Sequence, residues 1–161
     1  MARVKKKDEF FMREALKEAQ KALEKDEVPV GCVIVYKDKI IARAHNQMRT
    51  LNDPTAHAEM IAITEATERL NDMRLLECTL YVTIEPCSMC AGALVLARIE
   101  KIVYGADDPK TGACGSVLNI AQNKKLNHRI KIVKGILREE CSRIIQEFFQ
   151  QKRRLKAMLN N

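Results

Sequence analysis

No stretch of the 161-residue sequence approaches the roughly 20 uncharged apolar residues that a membrane-spanning helix needs. The basic start, Met1 to Lys7, runs into Asp8 and Glu9 where a secretory leader would carry an apolar segment, so neither membrane insertion nor export is expected. Internal repeats, low-complexity tracts and linker-like stretches are also missing, which points to one domain over residues 1–161. At this length folding withdraws roughly 70% of the unfolded surface from water, so a chain of ordinary hydrophobic content holds its core without disulfide staples. The six cysteines, Cys32, Cys78, Cys87, Cys90, Cys114 and Cys141, therefore read as metal ligands or reduced thiols, and the expected compartment is a reducing cytoplasm.

What is present in excess is positive charge, and it is unevenly placed. The formal net charge is +7. Residues 1–123 hold 17 basic and 18 acidic groups, a net of −1, whereas residues 124–161 hold 11 basic and 3 acidic groups, a net of +8. The whole surplus lies in the last quarter. It suits a polyanion docked near the C-terminus, or a solvated helix face with a basic tail.

Apolar residues at spacings of three and four, Phe11, Met12, Ala15, Leu16, Ala19, Ala22 and Leu23, predict an amphipathic helix over 8–25. Val30 to Tyr36 and Lys39 to Ala44 are β-rich runs parted by Lys37-Asp38, the pattern of a hairpin. Turn and N-cap chemistry at 52–55 precedes a helix predicted over 56–70. A buried strand follows over 79–84, then a helix opened by Pro86 and running to about Arg98, then a strand over 102–105. Residues 107–115 are rich in Gly, Pro and Asp and predict a loop, 130–133 a last short strand. About 138–159 is a long basic terminal helix with Cys141, Ile144, Ile145, Phe148, Leu155 and Leu159 along one side. Strands alternating with helices imply crossovers, so the fold class is α/β: one mixed sheet, largely parallel after the hairpin, with helices on both faces.

Two short motifs flank the central strand, His57-Ala58-Glu59 before it and Pro86-Cys87-Ser88-Met89-Cys90 after it. Each alone has a plain reading. Cys-x-x-Cys also serves as a redox pair or half of a structural zinc site, and a lone His is usually a hydrogen-bonded core or surface residue. Together, one His and two Cys make three ligands suited to tetrahedral zinc with the fourth position open, whereas structural sites are usually closed by four protein ligands. Cys87 and Cys90, at i and i+3, are expected in one first helical turn, where the helix N-terminus favours thiolate and Pro86 has no N–H to lose. His57 and Glu59, at i and i+2, lie about 200° apart on an ideal helix, so they share a cleft only at the helix tip. Glu59 is too hard a ligand for a Cys-rich site but is placed as a general base beside it; an ordinary first-turn acid favoured by the helix dipole is the alternative.

His-x-Glu followed after 26 residues by Pro-Cys-x-x-Cys is the established signature of the zinc nucleobase deaminases. The resemblance continues through Pro29-Val30-Gly31, Asn46, Asp53 to Glu59, Leu80 to Thr83, Glu85 to Gly92, Tyr104 to Ala106, Lys110 to Gly112, Asn127 to Arg129 and Phe148-Phe149, covering about 28–149. In these stretches the chain resembles the bacterial tRNA adenosine deaminases. The resemblance implies a three-layer α/β/α cytidine deaminase-like fold with a central sheet of about five strands. It implies one zinc per subunit held by His57, Cys87 and Cys90, and Glu59 as proton carrier in the hydrolysis of a wobble adenosine to inosine. By the same likeness Asn46 and the Ala58 N–H would fix the base, and Val30 and Ile84 would wall the pocket or serve simply as strand core. Asp107 and Asp108 would stand near the flipped nucleotide, and Asn127 and His128 near its neighbours. Cys32, Cys78, Cys114 and Cys141 have no partner at zinc spacing and read as small apolar side chains.

The implied partners are an anticodon stem-loop and, as a homodimer, a second copy of the chain that adds to the RNA cleft. Phosphates supply most of the affinity in such complexes, and Lys152, Arg153, Arg154 and Lys156 in the terminal helix are the candidate docking cations. Two other readings use the same residues: a free-base or nucleoside deaminase of guanine or cytosine type, which needs no basic face, and an RNA-binding scaffold whose zinc only stabilises the fold. Loss of the proton-carrying acid is the expected mark of that last fate, and Glu59 is present.

Overall fold

In the computed structural model, which describes residues 1–161, the hairpin forms as its sequence predicts. Strand β1 (Gly31–Tyr36) pairs antiparallel with β2 (Lys39–His45). Lys37 and Asp38 both take left-handed φ angles, 48° and 62°, so the two-residue turn twists with the strands it joins. β1 also pairs antiparallel with β3 (Cys78–Ile84), and β3, β4 (Lys101–Ala106) and β5 (Lys131–Lys134) run parallel, giving the order β2-β1-β3-β4-β5.

Strand alternation sorts the core into two layers. Cys32, Ile34, Leu80, Val82, Ile102 and Tyr104 face helices α2 (Ala58–Leu70) and α3 (Ser88–Leu96). Val33, Val35, Tyr81 and Val103 face Phe11, Met12 and Ala15 of α1 (Ala2–Glu24) and Cys141 of α4 (Arg138–Leu159). This is the expected three-layer α/β/α arrangement around a five-stranded mixed sheet. A Cβ on Gly31 would lie 2.2 Å from the Ala19 nitrogen, so glycine is what lets the backbone of α1 rest directly on β1. No helix is long and apolar enough to cross a membrane.

Four helix ends differ from the sequence expectation. α1 begins at Ala2, not Asp8, because the exposed residues 2–7 are mostly good helix formers although they carry no apolar period. α2 begins at Ala58, not Ala56: Asp53 Oδ1 takes the N–H and hydroxyl of Thr55 in a separate turn, and His57 becomes the N-cap. α3 is shorter at both ends. Cys87 is its N-cap and Pro86 stands outside the helix, while Arg98, at φ 58°, turns the chain away beyond Ala97. α4 has the expected bounds, but its apolar line is buried only at Cys141 and Phe148. Leu155 and Leu159 are exposed, so the helix runs past the sheet and carries its basic end into solvent.

Candidate active site and metal centre

The N-termini of α2 and α3 converge on one point. His57 and Cys87 are both N-caps in extended backbone conformation, and Cys90 sits in the first turn of α3. The sequence pattern puts His57 and Cys87 inside helices; as caps their side chains are freed from the helical flank, which removes the 200° conflict between His57 and Glu59. His57 Nδ1 lies 3.6 Å from Cys87 Sγ and 3.5 Å from Cys90 Sγ. Tetrahedral zinc, with Zn–S of about 2.3 Å and Zn–N of about 2.05 Å, requires N···S separations of about 3.6 Å. All three donor atoms lie within 4.8 Å of one another, so donor chemistry and spacing both fit the ion. The other four thiols, Cys32, Cys78, Cys114 and Cys141, are buried and outside this group.

The three donor groups hold their protons unequally. The neighbouring Cys90 holds the Cys87 thiol down to about 4, with burial opposing and His57 assisting. The same pairing, together with burial, pushes Cys90 far up. The bond to Cys87 raises His57 against the effect of its own burial. Metal binding must displace these protons, so affinity weakens as pH falls.

Glu59 is 3% exposed in the first turn of α2. Burial raises its carboxyl above the ordinary range despite its backbone N–H and the nearby His57. A carboxyl whose two protonation states are brought closer together near neutral pH is suited to take and return a proton. It stands at the inner end of a cavity of about 210 Å³, a space of roughly seven waters and of the scale of one planar base. His57, Ala58, Glu59, Cys87, Val30, Asn46, Ile84 and Asp108 all border it. Asn46 is buried; its amide donates to the Val28 carbonyl at 3.3 Å and accepts from the Met48 N–H at 3.3 Å. One amide hydrogen and one lone pair remain for a ligand.

Other expected residues lie elsewhere in the single chain. Asp107 faces an adjoining cleft beside Arg153 and lies 3.9 Å from Arg138. Asn127 and His128 stand by the far end of α3, where the Asn127 carbonyl accepts from Arg98 and His128 Nε2 bonds the Ile99 carbonyl at 2.7 Å. Lys152 pairs with Asp26 and lies over the Phe148 ring, so it is engaged within the chain, while Arg153, Arg154 and Lys156 are exposed.

Several bordering residues are not singled out as site residues by the sequence. Ile145 and Phe149 bring α4 to the cavity, and Val28, Met48, Glu85 and Thr111 complete it. Two buried acids, Glu27 and Glu85, hold the bordering loops. Glu27 accepts the N–H groups of Arg49 and Thr50. Glu85 is buried, which pushes its carboxyl up, but hydrogen bonds from Ser116, Asp108 and Cys114 prevail and hold it below the usual value. Beyond its place in the family likeness, the hint for Glu85 is an acid closing the strand run Leu80 to Ile84.

Residues 6–153 match the family model described as MafB19-like deaminase. The tRNA-specific adenosine deaminase of Bacillus subtilis (strain 168) is 52% identical over 149 residues, 92% of each chain. A solved structure from work on A-to-I editing by tRNA:A34 deaminases at the wobble position superposes with a TM-score of 0.81 at 45% identity, covering 84% of this chain and 98% of the other. Guanine deaminase from Bacillus subtilis superposes with a TM-score of 0.59 at 40% identity, covering 62% of this chain and 64% of the other. The deaminase fold is common to both, and the likeness is fuller on the tRNA side.

Proposed function

The chain belongs to the MafB19-like deaminases and to the tRNA-specific adenosine deaminases, and from that premise we propose that it converts the wobble adenosine of an arginine tRNA to inosine with one zinc ion per subunit. The observation that carries this reading is the His57, Cys87 and Cys90 donor set with Glu59 beside it, at the inner end of a cavity sized for one base. His57, Cys87 and Cys90 would hold the zinc, which when bound supplies Lewis-acid activation of the attacking water. Glu59 takes a proton from the attacking water as its oxygen adds at C6 of adenine and delivers it to N1, then takes the proton of the new C6 hydroxyl and gives it to the departing amine, so that adenosine and water give inosine and ammonia. Asn46 offers its remaining donor and acceptor to the base edge, and the Ala58 N–H, at the positive end of α2, orients the reacting group. The reaction belongs to the cytoplasm, where the free thiols stay reduced.

Arg153, Arg154 and Lys156 extend beyond the body on α4 and serve as phosphate-binding cations. Replacing all three by Gln is expected to weaken stem-loop RNA binding and flatten its log–log salt slope by about 2, near 0.7 for each single-strand phosphate no longer neutralised. Filter binding from low to moderate salt checks this; an unchanged slope would show that RNA docks elsewhere.

A second copy of the chain is proposed to cover the groove at the end of α3. Met73 and Leu96, 77% and 83% exposed, border it together with Asn127, which accounts for Asn127 standing apart from the cavity of its own chain. Sedimentation is expected to show a dimer for the wild-type protein and a monomer for Leu96→Glu. A monomeric wild type at micromolar concentration contradicts the assignment.

Incubation with arginine tRNA carrying wobble adenosine, followed by nucleoside analysis, tests the proposed activity as a whole. Ammonia release from free guanine or cytosine, with none from tRNA, would overturn it.

A further inference from the structure

We propose that Glu85 is a positioning residue for the substrate, its buried carboxylate fixing the 108–116 loop so that Asp108 and Thr111 form one wall of the cavity. This role rests on tRNA being the substrate of the cavity. Glu85 occupies a fork. Its own N–H still bonds the Ala106 carbonyl at 2.9 Å, continuing the β3–β4 pairing. Past that point one strand leads through Pro86 to the ligand Cys87, and the other into the loop.

The side chain is 1% exposed and takes part in none of the ion pairs of the fold. A carboxylate this buried without a cation is costly unless hydrogen bonds replace its water. The loop supplies them. Oε1 accepts from the Asp108 N–H at 3.1 Å and from the Ser116 hydroxyl, and Oε2 from the N–H groups of Cys114 at 3.0 Å and Ser116 at 3.1 Å. The fit is close: a Cβ on Gly112 would lie 2.4 Å from the Glu85 carboxyl, and Gly112 bridges to Cys87.

Within the loop, Asp108 accepts the N–H groups of Lys110 and Thr111 at 3.0 and 3.1 Å and the Thr111 hydroxyl at 2.7 Å. The 108–111 turn is therefore locked internally; Glu85 holds its Asp108 end, while the Ala113 N–H on the Pro86 carbonyl at 2.8 Å and the Gly112–Cys87 bridge hold the chain beyond it. Asp108 and Thr111 border the cavity, as does Glu85 itself, whose two carboxylate oxygens are taken up by the loop. Glu85 thus fixes the Asp108 side of that wall relative to Cys87, two positions later in the chain.

Gln at position 85 is the sharpest probe, because its amide NH₂ must oppose backbone N–H donors of the loop. With stem-loop RNA, Glu85→Gln is expected to raise KM about tenfold, keep kcat within about threefold and retain one zinc per chain. Amide exchange at Asp108 and Ser116 should accelerate at least tenfold, with the first turn of α2 unchanged. In a double-mutant cycle with Thr111→Val, the combined KM effect should fall well short of the product of the single effects, since both act through the same turn. Multiplicative effects, or loss of zinc and kcat with loop exchange unchanged, overturn the assignment. Ser116→Ala keeps the carboxylate and is expected to raise KM about threefold. If Glu85→Gln does not fold, an unaltered KM in Ser116→Ala overturns it equally. Loop exchange requires no substrate, so failure here is distinguishable from failure of the tRNA activity, which wild-type inosine formation tests separately.

Discussion

Replacement of Glu59 by alanine is expected to slow inosine formation on the order of 10³- to 10⁴-fold, the upper part of the range for loss of a positioned proton carrier. Zinc content and RNA affinity should stay within about twofold of wild type, because Glu59 lies outside the donor set and is 3% exposed. Atomic absorption, stem-loop binding and single-turnover kinetics on one preparation separate the three quantities. Stability supplies a further readout. Burial raises the carboxyl above its unfolded value, so the fold favours the protonated form and the wild-type protein loses stability as pH rises through the raised pKa. Glu59→Ala lacks that group. Its melting temperature at neutral pH should therefore match or exceed that of wild type, while activity collapses. Activity lost in step with stability would make Glu59 a structural residue.

Removing the metal is expected to abolish activity to the same degree without unfolding the chain. The large core cluster between the sheet, α2 and α3 contains none of His57, Cys87 and Cys90, so far-UV circular dichroism should persist in the apoprotein, unlike that of a zinc finger. An ion held by His57, Cys87 and Cys90 would nevertheless join the N-caps of α2 and α3. At free zinc 1,000 times its Kd the holoprotein gains about 4 kcal/mol, visible as a higher melting temperature. Added zinc should restore activity to stripped wild type but not to Cys90→Ala. Full activity in thoroughly chelated protein contradicts the donor-set assignment.

The sheet, the hairpin and both ends of α4 are legible in the sequence because alternation, a two-residue turn and helical periodicity are local signals. The His57, Cys87 and Cys90 donor group is legible as a set, but not its backbone setting. Whether His57 and Cys87 begin a helix or cap it depends on one extended residue each, and spacing alone does not register that. Glu85 falls within the family likeness without standing out as a part of the site, because its partners are backbone N–H groups 23 to 31 residues onward. Lys152 looks in sequence like one more free cation, since its partner Asp26 lies at the other end of the chain. Asn127 and His128 belong to the family likeness too, yet only three-dimensional placement puts them at the far end of α3, away from the cavity of their own chain.

Nucleoside analysis of arginine tRNA with wobble adenosine, after single-turnover incubation with the zinc-loaded protein, bears most directly on the central claim. The expected result is inosine at the wobble position with one equivalent of ammonia, and neither product with Glu59→Ala. Zinc-loaded wild-type protein that binds this tRNA and leaves its adenosine intact would contradict it.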